Sequence, residues 1–249
     1  SWKDNLFFLA HAAIIMGHYQ DLSKDETYAQ RFRQVGEFLG KGIPNARYKN
    51  LVSHPQEDVM RAADNAAAIY AISLYDQYYA TNYTPAAMAN WKTYLEKELR
   101  FAESHLPCSG FTATNRCKLD PTASSIGMML GYLGAAGDED QMMYREWLHY
   151  FKDLGLSPLS LSFSSGMRRK DDPRFCDLAA YPLPCEAHLP AIGLWLAAEY
   201  GGDYTFARLL SRQLLTNKRT LADELPLSNP TRRREKLTDI AIRVIAEME

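Results

Sequence analysis

Residues 64–79 read Asp-Asn-Ala-Ala-Ala-Ile-Tyr-Ala-Ile-Ser-Leu-Tyr-Asp-Gln-Tyr-Tyr, and the chain then turns through Thr81-Asn82. Ala68, Ile69, Ile72, Tyr75 and Tyr79 recur at i, i+3, i+4 and i+7, the period of one helical face. An acid and an amide open the stretch, where a helix start favours them. After about four turns the polar turn ends it. A second, more amphipathic helix is expected at 84–101, with Lys92, Glu96, Lys97 and Arg100 on its charged face. The unit is a helical hairpin.

The hairpin recurs along the chain. Further first helices open at Asp4-Asn5, at Asp120-Pro121 and at Cys185-Glu186, and run to His18-Tyr19, Leu133 and Glu199-Tyr200. Each breaks at a polar turn, Ser23-Lys24-Asp25, Gly137-Asp138 and Gly201-Gly202-Asp203, and a second helix is expected at 26–39, 140–154 and 204–215. The starts at 4, 64, 120 and 185 are 60, 56 and 65 residues apart. A repeat of that period means stacked units, because a helix pair buries its apolar face only against neighbours. Strand signals are scarce, and the alternation at 159–163 stands alone. The fold class is therefore all-α. Four tandem hairpins are expected at 4–40, 64–102, 120–155 and 185–217, with a C-terminal cap helix at 231–248, about nine helices in one domain spanning 1–249. Small residues in the first helices predict close packing in an inner layer, with the second helices outside. The connectors 40–61, 105–119 and 155–184 then fall on one edge, and the last is long enough for a functional rim loop.

Composition narrows the function classes. A net charge of −2, from 28 basic and 30 acidic residues, argues against nucleic acid, and Arg232-Arg233-Arg234 reads as a solvated helix turn. No apolar run reaches the roughly 20 residues of a membrane span. The chain begins directly with an apolar helix, which reads as a mature or trimmed form. Cys108/Cys117 and Cys176/Cys185 form two pairs, each nine apart in loops between helices. Local pairs of this kind look like disulfide-closed loops, which points to a periplasmic or secreted protein, although three connectivities remain open. No CxxC or HxxxH pattern accompanies the thiols, so no metal is expected. Neither a phosphate-cradling glycine motif nor a dinucleotide fingerprint is present, so no cofactor is expected.

The Asp64-Asn65-Ala-Ala-Ala-Ile-Tyr70 segment, with its turn and following helix, resembles hairpins of the (α/α) toroid superfamily. That superfamily includes six-hairpin glycosidases, unsaturated uronyl hydrolases and sugar epimerases. The resemblance covers roughly residues 4–216 by period and pattern, with four hairpins against the usual six, and no family-specific catalytic motif matches. It implies a small, open or partial toroid, or a piece of a longer chain. A toroid family of terpene-alcohol dehydratase-isomerases also places paired cysteines near its cavity, but no further residues align to it.

In such an array the N-termini of the inner helices converge on one mouth, where positive dipole ends favour anions. Asp64, Asp120, Glu186 and His188 lie at that level and are the candidate catalytic residues, with Asn65, Tyr181, Arg168 and Arg169 as candidate substrate contacts. Glycoside hydrolysis needs a protonated acid and a second carboxylate across a cleft. The bland alternative is that Asp4, Asp64 and Asp120 only cap helices; Pro121 fits the first helical position after Asp120. Glu186 and His188 are two apart, so they do not share a helical face as a metal-binding pair does. His11 and His18 do share a face, but two turns apart they cannot grip one ion, and each is expected to be buried against a neighbour. The serines between 160 and 165 lack the strand-turn-helix context of a nucleophile elbow. The functional expectation is a glycan- or small-polar-molecule-active protein, a carboxylate-dependent hydrolase, lyase or epimerase. The alternative is a non-catalytic helical-repeat module for a protein or polysaccharide partner in the cell envelope.

Overall fold

The structure, a computed structural model, describes residues 5–45, 59–101, 104–112, 116–154, 161–163, 175–178 and 181–200. Seven helices appear among them: α1 (Leu6–Ser23), α2 (Ala29–Asn45), α3 (Ala62–Tyr79), α4 (Thr84–Glu98), α5 (Ala123–Ala135), α6 (Gln141–Phe151) and α7 (Cys185–Glu199). They follow the expected order of three hairpins and the first helix of a fourth. The expected helices at 204–215 and 231–248 lie outside the described residues. The chain divides into two compact units, residues 1–121 with 132–138, and residues 122–131 with 139–249.

In the first unit, α1 packs along α3. Helix α1 starts where Asn5 Oδ1 accepts the Phe8 N–H at 3.0 Å, and stops where Lys24, at φ 57°, donates its N–H to Gln20 O at 2.9 Å. Asp25 then accepts from the Thr27 N–H and hydroxyl and turns the chain toward α2. Helix α3 is buried almost all round, Ala62 to Ile72 without interruption except for half-covered Ala63. That explains why its sequence is rich in alanine: a helix closely packed on several sides has no room for larger side chains. Helix α4 buries Ala87, Trp91 and Leu95.

Lys92 departs from the expected solvated face. Its ammonium meets the Asp138 carboxylate at 2.7 Å, with the two side chains only 17% and 6% exposed. Its long stem lets the charge reach a partner in the turn after α5 while the methylenes cover apolar surface.

The connectors hold strands that the sequence pattern does not show. Strands β1 (Met60–Arg61), β2 (Gly110–Phe111) and β3 (Cys117–Leu119) form an antiparallel sheet in that order. Strand β1 pairs Met60 with Phe111 and Arg61 with Gly110, and β3 pairs Leu119 with Gly110. The Cys108–Cys117 disulfide closes this hairpin, its Cα atoms 5.7 Å apart.

In the second unit, α5 presents Gly127 and Gly131 to α7. A Cβ built at Gly127 would meet Ile192 Cγ2 at 2.4 Å, and one at Gly131 would meet the Trp195 ring at 2.6 Å. Close approach of backbone to a large side chain requires glycine at both positions. The buried indoles are satisfied: Trp147 donates to Ala123 O at 2.8 Å and Trp195 to Glu199 Oε1 at 2.6 Å. Strand β4 (Lys152–Leu154) pairs with β5 (Leu161–Phe163), so the alternation near 159–163 does belong to a strand. Strands β6 (Phe175–Leu178) and β7 (Tyr181–Pro184) form a hairpin leading into α7.

Candidate functional site

The small sheet sets the position of the first two candidate carboxylates. Because β1 and β3 both run antiparallel to β2, they are parallel to each other and leave the sheet at the same end. Strand β1 runs straight into α3, and Asp64 is the third residue of that helix. Strand β3 ends at Leu119, and Asp120 is the next residue. With strands spaced about 4.8 Å apart, the start of α3 and Asp120 follow from the same end of the sheet, with β2 between their strands.

Their surroundings differ. Asp64 is 3% exposed, in the first turn of a helix whose N-cap, Arg61, makes no side-chain capping bond. The carboxylate therefore sits inside the positive end of the helix dipole rather than at the capping position. Asp120 is exposed, and at the start of α5 the Thr122 Oγ1 accepts the Ser125 N–H at 3.2 Å. Asn5 holds the corresponding place at α1, and Asp4 lies outside the described residues. Asn65 is fully buried, and its side-chain N–H donates to Arg61 O at 2.9 Å.

Four other side chains of the same unit form a polar cluster. His11 Nδ1 lies 2.7 Å from Phe7 O, a carbonyl that can only accept, so Nδ1 carries the hydrogen. Burial pushes the His11 pKa below its ordinary value, partly opposed by that carbonyl, and the ring is neutral at pH 7. Its Nε2 is then an acceptor, and Tyr132 Oη donates to it at 3.0 Å. The Tyr132 phenol, 4% exposed, is pushed well above the usual tyrosine range by burial first, then by the Asp64 charge and by Tyr70. The Tyr132 and Tyr70 rings stack with centroids 6.2 Å apart, and Tyr70 Oη lies 3.0 Å from His18 Nε2. The two histidines thus each bond a tyrosine from another helix.

The Tyr132–His11 contact was not legible in the sequence. The Tyr132 hydroxyl meets a residue 121 positions away, and nothing in the local sequence of α5 announces it. The spacing of His11 and His18 was the one available signal.

The remaining candidates fall in the second unit. Glu186 and His188 lie in the first turn of α7 and Tyr181 opens β7, but their side chains are outside the description. Arg168 and Arg169 lie outside the described residues, as does any bond made by Cys176 or Cys185. Among the described residues, no group of three His, Cys, Asp or Glu is placed to hold a metal ion. No helix among them is long and apolar enough to cross a membrane.

No family model matches the sequence, and no curated protein matches it. Among solved structures, the chain is similar to an alpha-1,6-mannanase of glycoside hydrolase family 76 from Salegentibacter sp. HEL1_6. That structure holds an inactive variant, with two consecutive aspartates replaced by alanine, in complex with alpha-1,6-mannotetrose. The TM-score is 0.58 at 12% identity, over 90% of this chain and 66% of that one. The likeness shows the fold, an (α/α) toroid, and this chain spans just under two thirds of the mannanase.

Proposed function

We propose that this protein acts on a glycan at the end of the sheet where β1 leads into α3, in a periplasmic or secreted setting, with Asp64 as the acid–base carboxyl and Asp120 as the second carboxylate. The observation that supports the reading is a buried Asp64 and an exposed Asp120 on segments that leave the same end of one sheet. Glycoside hydrolysis needs two carboxyls in unlike environments, because burial favours the protonated acid and solvent the ionised partner. The toroid fold, shared with a mannanase bound to a mannotetraose, supports a glycan as the ligand, and the Cys108–Cys117 disulfide supports an oxidising compartment. Glu186, His188, Tyr181, Arg168 and Arg169 belong to the second unit and are kept as separate candidates.

A second reading has its own observation. The mannanase variant that lacks its two aspartates is inactive yet is held in complex with alpha-1,6-mannotetrose. A toroid can therefore hold a glycan without cleaving it, and this leaves room for a module that binds a glycan without cleaving it.

Incubation with α-1,6-linked manno-oligosaccharides and a panel of other glycans, followed by product chromatography, tests both. The enzyme reading expects cleavage that Asp64→Asn lowers by about 10²–10⁴ without loss of binding. Calorimetric binding with no cleavage leaves the module, and neither binding nor cleavage across the panel overturns both.

A further inference from the structure

Helix α1 is apolar on both faces, but only one of them is buried. Leu6, Leu9, Ala10, Ala13, Ile14 and Gly17 are covered, and the helix packs against α3 and α2. On the opposite face Phe8, Ile15 and Leu22 are 60%, 68% and 70% exposed. Of the eight large hydrophobic side chains exposed among the described residues, five lie on α1, so they form a patch and not a scatter. From Leu6 to Gln20 the helix has no Asp, Glu, Lys or Arg. A helix that is apolar almost all round belongs inside a protein, and α3, the same element of the next hairpin, is buried in that way.

The open face is patterned for another helix. Phe8, Ala12, Ile15, Tyr19 and Leu22 follow at alternating steps of four and three, the seam of a helix–helix contact. Tyr19 is already held in place, its hydroxyl donating to Asp25 Oδ2 at 2.7 Å and its ring edge-on to Tyr28 at 5.4 Å. We propose that a second copy of this chain docks on this face, the two α1 helices antiparallel across a two-fold axis at Ile15. Phe8 then packs against Leu22 of the second copy, and Ile15 against its own counterpart. The charges select this direction. Those at α1 among the described residues gather at its C-terminal end, in Asp21, Lys24 and Asp25. Parallel helices would set the two Asp25 side by side, whereas antiparallel ones bring each toward the positive N-terminal end of the other helix. The area fits as well. At roughly 200 Å² per large side chain, the exposed parts of Phe7, Phe8, Ile15, Tyr19 and Leu22 come to about 500 Å² on one copy. The pair buries about 1,000 Å², the lower bound of a specific interface. A face that matches itself closes on two copies and leaves no edge for a third. The pairing does not depend on whether the protein acts on a glycan.

The test is sedimentation velocity of the whole chain over a dilution series. The unaltered protein is expected to form a dimer that dissociates on dilution, since an interface of this size is weak. Ile15→Glu sets two like charges at the axis and is expected to give monomer at every concentration. Its circular dichroism should match that of the unaltered protein, because the side chain is mostly exposed. Met142→Glu, which adds the same charge at an exposed apolar position outside α1, is expected to keep the dimer. An unaltered protein that stays monomeric, including one whose own chain covers α1, overturns the proposal, as does a dimer that survives Ile15→Glu. Cross-linking reads the axis directly. Under mild oxidation Ile15→Cys is expected to give a disulfide-linked dimer and Met142→Cys is not; linkage at both positions, or at neither, overturns the pairing.

Discussion

Asp76 shows how one carboxylate in a helix can organise the turn that follows. From α3 it accepts the Thr81 hydroxyl at 2.6 Å, the Tyr83 N–H at 3.0 Å, and the Thr84 N–H and hydroxyl at 2.7 and 2.6 Å. Burial pushes its pKa up, but these four donors outweigh burial and hold it below its ordinary value. A depressed folded pKa contributes stability above the ordinary carboxylate range, and that contribution is lost as the pH falls through the folded value. Asp76→Ala, which removes a cap, is expected to cost about 1–2 kcal/mol at pH 7, and the difference from the unaltered protein should shrink in acid. Denaturant melts at neutral and acid pH check it; a pH-independent difference would refute the carboxylate's role. Gln20 works in the opposite sense. It is fully buried in α1, and neither side-chain amide atom finds a hydrogen-bond partner in the structure. Gln20→Leu is expected to raise stability by about 1–2 kcal/mol, and a lower Tm would count against it. Neither residue was legible in the sequence, since Asp76 looks like an ordinary solvated helix acid and Gln20 like a polar one. The place of Asp64 in the first turn of α3, by contrast, was legible, because an acid opening an alanine-rich helix is visible as a pattern.

At the scale of elements, glycines mark where helices come closest. A Cβ at Gly36 of α2 would lie 2.3 Å from Tyr75 Cδ2 and 2.5 Å from Cγ, and one at Gly40 would lie 2.8 Å from Tyr83 Cγ. These are ring roots, not flexible tips, so they cannot swing away. Gly36→Ala is expected to destabilise by about 1–3 kcal/mol despite alanine's better helix propensity, and a gain in Tm would show that propensity outweighs packing there. The same glycines misled the sequence reading of this helix's end: α2 continues past 39 to Asn45, because Leu39 and Ile43 are fully buried and packing overrides the penalty of Gly40 and Gly42. Strands of two or three residues carry too little alternation to be read from sequence, and β1, β2 and β3 exist because the Cys108–Cys117 bridge and the start of α3 hold them in register. Replacing both cysteines by serine is expected to cost about 2–3 kcal/mol for so short a loop, seen as a Tm difference that reductant abolishes. Equal melts with and without reductant would mean that the sheet holds without the bridge.

For the whole molecule, the repeat was the legible feature, and the site was not. A period near 60 residues needs only that apolar faces recur, and local hydrophobic spacing records that directly; the likeness to a toroid over 90% of the chain agrees with it. What a toroid binds depends instead on side chains meeting across distant hairpins, as His11 and Tyr132 do, and no local spacing encodes such a meeting. A ligand that binds only the folded state stabilises it by mass action, about 2.7 kcal/mol at a hundredfold excess over Kd. For a chain of this size each kcal/mol moves Tm by about 2–4 °C, so a bound α-1,6-manno-oligosaccharide is expected to raise Tm by about 5–10 °C at that excess. Asp64→Asn keeps the shape of the side chain, so it should retain this shift if Asp64 serves the reaction and lose it if Asp64 serves the grip on the glycan. Linear oligosaccharides of other linkage, run at the same excess, give the comparison. An equal shift with all of them would assign the effect to general carbohydrate exclusion from the surface, and no shift with any would remove the glycan from the reading of this fold.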